Sequence, residues 1–125
     1  MPSRWEQLVV DAEDPARLAA WWAEALGYVI VAETADDVEI RRRPDELPGI
    51  LFGLATGAKK SPADGKDGKN RLHLDLRPDD QEAEVERLVN MGARPVDIGQ
   101  NGVPWVVLAD PEGNEFCVLA ARGGQ

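Results

Sequence analysis

His73 is the side chain best suited to chemistry near neutral pH. It stands within Arg71-Leu72-His73-Leu74-Asp75-Leu76, whose polar and apolar residues alternate as in a half-buried strand. An imidazole there could ligate a metal or act as general acid or base; it could equally be a structural group bonded to Asp75 or Arg71. Asp75 lies two residues on, about 6.5 Å along a strand, so it could support His73 from the same wall. Gln7 carries a two-ended amide able to orient a substrate carbonyl or amide. Cys117 could be a soft ligand or, beside a base, a nucleophile, although a lone buried cysteine commonly packs as a small hydrophobe. Gln7, His73 and Cys117 together are too poor in oxygen for a hard cation. They also lack a third strong ligand for zinc. The expectation is therefore no cofactor; were a divalent metal to bind, its ligands would be Gln7, His73 and either Cys117 or Glu115. Asp75 and Glu115 share the parity of that wall and are the available replacement carboxylates.

The remaining candidates are substrate contacts. Trp5 has the parity of Gln7 and could line a cavity, Phe52 and Trp105 add aromatic surface, and Trp105 could stack on a flat ligand. Arg71 shares the polar side of its strand and would favour an anionic group. Arg42 and Arg43 read as a salt-bridged rim. Trp21 and Trp22 are consecutive on a helix, so one is expected in the core and the other partly exposed, where it could seal a subunit contact.

These residues are positioned by a pattern that occurs twice. Gln7 precedes Asp14-Pro15 by seven residues, and His73 precedes Asp80 by seven, with an offset of 66 between the two sets. In each case a strand leads into a helix; Asp14 is the expected N-cap of the first, and the second is expected to run from about Asp80 to Met91. The first helix carries Leu18, Trp21, Trp22 and Leu26 and ends at Gly27; the second carries Val85, Leu88 and Val89 and ends at Gly92. Three strand candidates follow each helix: 28–31, 38–43 and 50–56 in the first half, and 93–96, 105–109 and 116–120 in the second. Residues 57–69 are Gly, Lys, Ser, Pro and Asp without period and read as a linking loop. The expected organisation is one domain over 1–125, with module one at about 4–56 and module two at about 70–121. The fold class is α+β, two βαβββ modules whose curled sheets form a shared cup. Leu72, Leu74 and Leu76 would face the helix, and Arg71, His73 and Asp75 the concavity.

With Gln7…Asp14-Pro15, Leu26-Gly27, His73…Asp80 and Val89-Asn90-Met91-Gly92-Ala93 in view, and above all Asp110-Pro111-Glu112-Gly113-Asn114 leading into a strand, the chain resembles the vicinal-oxygen-chelate superfamily and its small glyoxalase-like proteins. The resemblance covers nearly the whole chain. It implies paired βαβββ modules and, in active members, one divalent metal held by the first and last strands of each module. The first-strand positions correspond to Gln7 and His73. The last-strand position of the second module, normally Glu, falls on Cys117, and that of the first falls near Leu51 or Phe52, which cannot ligate. The resemblance also implies a homodimer.

Composition excludes several other classes. A net charge of −9 weighs against nucleic acid and anionic membranes. No apolar run approaches a membrane span, and no signal-peptide pattern opens the chain. One cysteine cannot form an internal disulfide, so the default compartment is the cytoplasm. Phosphate-loop and dinucleotide fingerprints are missing. The reading is a glyoxalase-like protein that binds a small organic molecule, either a binding protein or a divergent lyase without the usual metal site, with turnover left open. The alternatives are a metal-dependent lyase or isomerase with replacement ligands, and a non-catalytic structural or regulatory dimer. Under the first reading His73 is the acid or base, Asp75 its support, and Gln7 the orienting group.

Overall fold

The structure, a computed structural model, describes residues 2, 4–54, 72–96 and 102–122. The chain divides into two compact units, Met1–Lys59 and Lys60–Gln125.

The first unit runs β1 (Gln7–Ala12), α1 (Pro15–Leu26), β2 (Val29–Glu33), β3 (Asp37–Arg41) and β4 (Gly49–Leu54). Asp14 caps α1 by accepting a hydrogen bond from the Arg17 backbone N–H, and Pro15 occupies the first turn, where its missing donor costs nothing. Gly27 ends the helix at φ 70°, a left-handed conformation that side chains with a Cβ resist, and the Tyr28 N–H returns to the Ala23 carbonyl. The strands form one sheet in the order β1-β4-β3-β2, with β1 parallel to β4 and the other pairs antiparallel. Alternation sends Ala12, Val38, Ile40, Ile50 and Phe52 into the core with Leu18, Ala19, Trp22 and Ala25 of α1. Trp21 and Trp22 are both buried, contrary to the expectation that one would be exposed. Their rings meet edge to face at 81° with centroids 5.0 Å apart, which lets adjacent side chains share the interior.

The second unit repeats this order with shorter strands: β5 (Asp75–Leu76), α2 (Gln81–Asn90), β6 (Arg94–Pro95), β7 (Val106–Ala109) and β8 (Glu115–Val118). Its sheet is β5-β8-β7-β6, again with the first strand parallel to the last. Asp80 caps α2 by accepting from the Ala83 N–H. The Gln81 side chain donates to the Pro104 and Val118 carbonyls, tying the helix start to the sheet. Leu88, Leu108, Phe116 and Val118 are buried.

Two expectations need correction. Among the described residues strands pair only within their own four-stranded sheet, and no curled or closed cup-like sheet is seen. The duplicated pattern specifies connectivity inside each half; it does not specify how a sheet bends. Of the strand expected over 71–76, the described residues 72–76 form strand only at Asp75–Leu76, where β8 supplies a ladder partner. Leu72, expected against the helix, is 76% exposed, and Arg71 lies outside the described residues.

Candidate metal centre

Parallel pairing of β5 with β8 sets Asp75 opposite Cys117 and Leu76 opposite Val118. The register is held by the Cys117 N–H donating to the Leu74 carbonyl at 2.9 Å and the Leu119 N–H donating to the Leu76 carbonyl at 2.8 Å. Residues opposite each other in a sheet project to one face, so Asp75 and Cys117 stand side by side. His73 joins them from two residues upstream, with Nε2 3.2 Å from Asp75 Oδ1. One donor atom from each of His73, Asp75 and Cys117 lies within 4.8 Å of the other two. His73 and Asp75 are about half exposed, and Cys117 is partly buried.

Burial pushes the Cys117 thiol above its ordinary value, and the Asp75 carboxylate, through its charge and a hydrogen bond, pushes it further, with a smaller contribution from Glu115. Without an ion the sulfur is therefore protonated near neutral pH. A bound cation would supply the opposite field and favour the thiolate.

The donor set suits a metal. Nitrogen, carboxylate oxygen and thiol sulfur make three protein ligands, and a tetrahedral ion would keep a fourth position for water or substrate. This overturns the expectation that a metal is unlikely to bind. The sequence pairs His73 with Cys117 in the expected ligand set and offers Asp75 only as a support for His73 or a replacement carboxylate. The ladder places Asp75 beside Cys117 and supplies the third strong donor. His73 and Cys117 are legible as partners in the sequence, but the pairing register is needed to add Asp75 as a ligand.

The other candidates are distributed as follows. Glu115, half-buried, begins β8 opposite Ala109, two residues before Cys117 on the same face, and is not one of the three clustered donors. Trp105 precedes β7 and is 39% exposed. In the first unit Gln7 opens β1 opposite Gly49. Trp5 is 66% exposed and donates its indole N–H to the Gln7 carbonyl. Phe52 is 1% exposed, on the core side of β4. The arginine rim is paired as expected. Arg42 and Arg43 both reach Glu46, while Arg41 is held by Glu39 at 2.9 Å and by the Pro44 carbonyl at 2.7 Å.

The Asp110-Pro111-Glu112-Gly113-Asn114 segment is a structural turn. Asp110 is fully buried, and its carboxylate accepts from the Glu112 and Asn114 N–H groups and from the Asn114 side-chain amide. The turn delivers β8, and therefore Cys117, alongside β5.

Comparison with known proteins agrees with this architecture. The structure is similar to a gene product from Arabidopsis thaliana (16% identity, 95% of this chain and 98% of that one, TM-score 0.68). It is also similar to a glyoxalase/bleomycin resistance protein/dioxygenase family enzyme from Burkholderia phytofirmans PsJN (15% identity, 93% and 97%, TM-score 0.65). A third similar structure is a bleomycin resistance determinant encoded on the transposon Tn5 (19% identity, 96% and 99%, TM-score 0.55). At these identities the likeness concerns the fold. No curated protein sequence matches the chain. The family model described as a glyoxalase-like domain matches residues 7–119. With that match and the twice-used βαβββ order, the chain belongs to the glyoxalase-like domain family of the glyoxalase/bleomycin resistance/dioxygenase, or vicinal-oxygen-chelate, superfamily.

Proposed function

We propose that this protein binds a small organic molecule beside a divalent ion held by His73, Asp75 and Cys117, and acts as a metal-dependent lyase or isomerase. The observation that carries the reading is the convergence of three chemically different donors within 4.8 Å, Asp75 and Cys117 paired across parallel strands and His73 two residues before Asp75. When bound, such an ion supplies Lewis acidity toward a carbonyl oxygen. The residues around it have separate tasks. Glu115, two residues before Cys117 and outside the donor set, is the carboxylate proposed to accept or return a proton. Trp105 offers a flat apolar surface for the organic part of the ligand. In the first unit Gln7 and Trp5 are proposed ligand contacts in their own right.

The half-exposure of His73 and Asp75 favours a second reading, binding without turnover, because a site open to water gives up much of the electrostatic advantage of a closed one. A homodimer and a cytoplasmic location rest on the resemblance and on the single cysteine, respectively; with Trp21 and Trp22 both buried, α1 offers no exposed tryptophan to seal a subunit contact.

The test is a thermal-shift screen of small carbonyl compounds and organic anions, with and without added zinc, followed by NMR of any hit. Ion-dependent stabilisation that disappears in His73→Ala, with conversion of the hit, supports the lyase or isomerase. Stabilisation without conversion supports binding alone. No ion-dependent stabilisation by any compound would overturn the proposal.

A further inference from the structure

We infer that the His73–Asp75–Cys117 centre selects a thiophilic divalent ion of the zinc or cobalt kind over oxygen-seeking ions such as magnesium or manganese, and that Cys117 sets the choice. The inference rests on the metal reading above and specifies which ions that site takes.

Magnesium and calcium are held by six or more oxygens. Here a single carboxylate, Asp75, belongs to the cluster, and Glu115 on the same face does not. Sulfur and imidazole nitrogen, by contrast, are the ligands that borderline and soft divalent ions prefer. The sulfur is also well placed. Cys117 lies inside its sheet, with Asp75 opposite on one side and Val107, a buried residue, opposite on the other. Its backbone N–H is bonded to Leu74. A donor fixed by ladders on both sides is poorly able to withdraw in favour of water, so the ion must accept sulfur as a ligand. Where the resemblance leads one to expect a carboxylate at this strand position, the thiol changes which ions fit.

All three donors also come from one unit, Asp75 and Cys117 from a strand pair and His73 from the segment leading into it. The positions in the first unit displaced by 66 residues are Gln7, Val9 and Leu51, a set without three strong donors. The centre is therefore complete within the second unit and should bind one ion per chain.

The experiment uses the full chain, stripped of metal with a chelator and titrated with cobalt(II). The expected result is one equivalent bound, with a near-ultraviolet sulfur-to-cobalt charge-transfer band and the visible intensity of a tetrahedral ion. Zinc should displace the cobalt, and a large excess of magnesium or manganese should not. Cys117→Ser, checked for native circular dichroism, should lose the charge-transfer band and bind zinc at least about tenfold more weakly, since even residues behind the ligands are worth that much. Cys117→Asp should regain ion binding with its preference moved toward manganese. Cobalt bound without the sulfur band, or manganese competing as well as zinc, would overturn the selectivity and leave the metal reading standing. If equilibrium dialysis finds no ion of either class bound to the wild-type chain, the metal reading itself fails.

Discussion

Asp75 faces Cys117 across parallel strands in the same register in which Val9 faces Leu51, and both members of the second pair are displaced from the first by 66 residues. The duplication therefore extends from sequence pattern to individual ladder partners. One copy carries ligating side chains and the other carries Val9 and Leu51, with Gln7 at the position of His73.

Transplanting the donors should transplant the site. The triple variant Q7H/V9D/L51C places the same residue types at corresponding positions, none of which is fully buried. Cobalt or zinc titration is expected to rise from one to two equivalents per chain. A stoichiometry unchanged at one would show that backbone register alone does not assemble the centre.

Alkylation should report the field around the sulfur. The thiolate is the reactive form, and burial together with Asp75 raises the thiol's pKa, so metal-free protein should react slowly at neutral pH and faster only above the ordinary thiol range. Asp75→Asn removes a negative neighbour. The midpoint of the rate–pH profile should then move to lower pH, with faster reaction at pH 7. Iodoacetamide kinetics followed by mass spectrometry measure both. An Asp75→Asn profile shifted upward would contradict the assigned cause.

The buried carboxylate of Asp110 should be structurally expensive to lose. Asp110→Ala leaves the Glu112 and Asn114 N–H groups without their acceptor and is expected to cost about 3 kcal/mol. Asn114→Ala removes one donor group and leaves two backbone donors on Asp110, so its cost should be nearer 1 kcal/mol, ~1 being typical of a single bond. Urea denaturation monitored by tryptophan fluorescence gives both values. Equal losses would mean that the backbone bonds of the turn carry little of its stability.

A methyl group at Gly49 has no free space. A Cβ there would lie 2.6 Å from Glu39 Oε2 and 3.1 Å from both Arg41 Cγ and the Ile40 carbonyl. The Glu39 carboxylate can swing away only by breaking its pair with Arg41, while the backbone carbonyl cannot yield so easily. Gly49→Ala is expected to destabilise by about 1–3 kcal/mol, as overpacking does. In the G49A/E39A double variant the further cost of the added methyl should be smaller than in the wild-type background. A double-variant cycle showing full additivity would place the strain on the Ile40 carbonyl and Arg41 Cγ contacts instead of on Glu39.

Local and long-range features differ in how far the sequence reveals them. The N-cap at Asp14 and the left-handed stop at Gly27 are legible because capping is decided within a few residues of chain, and the start of the second helix near Asp80 is legible for the same reason. The Asp110–Asn114 turn is legible as a turn; the burial of its carboxylate is not. The first strand of the second half comes out too long because alternation over 71–76 describes what a strand would look like, and a strand exists only where a partner supplies hydrogen bonds. Phe52 reads as a ligand contact from its aromatic type, but the parity of β4 turns it into the core. Helical angle alone separates Trp21 from Trp22 and cannot anticipate an edge-to-face pair.

The amino-acid order by itself determined the two βαβββ halves and their common offset and singled out His73 as the first candidate for chemistry, since each follows from short-range periodicity and side-chain type. The three-dimensional structure alone decided that Asp75 and Cys117, 42 positions apart in the chain, are neighbours. The physical reason is that a parallel ladder matches strands by hydrogen-bond register. That register depends on both strands and on the helix and turn between them, and no single stretch of sequence contains it.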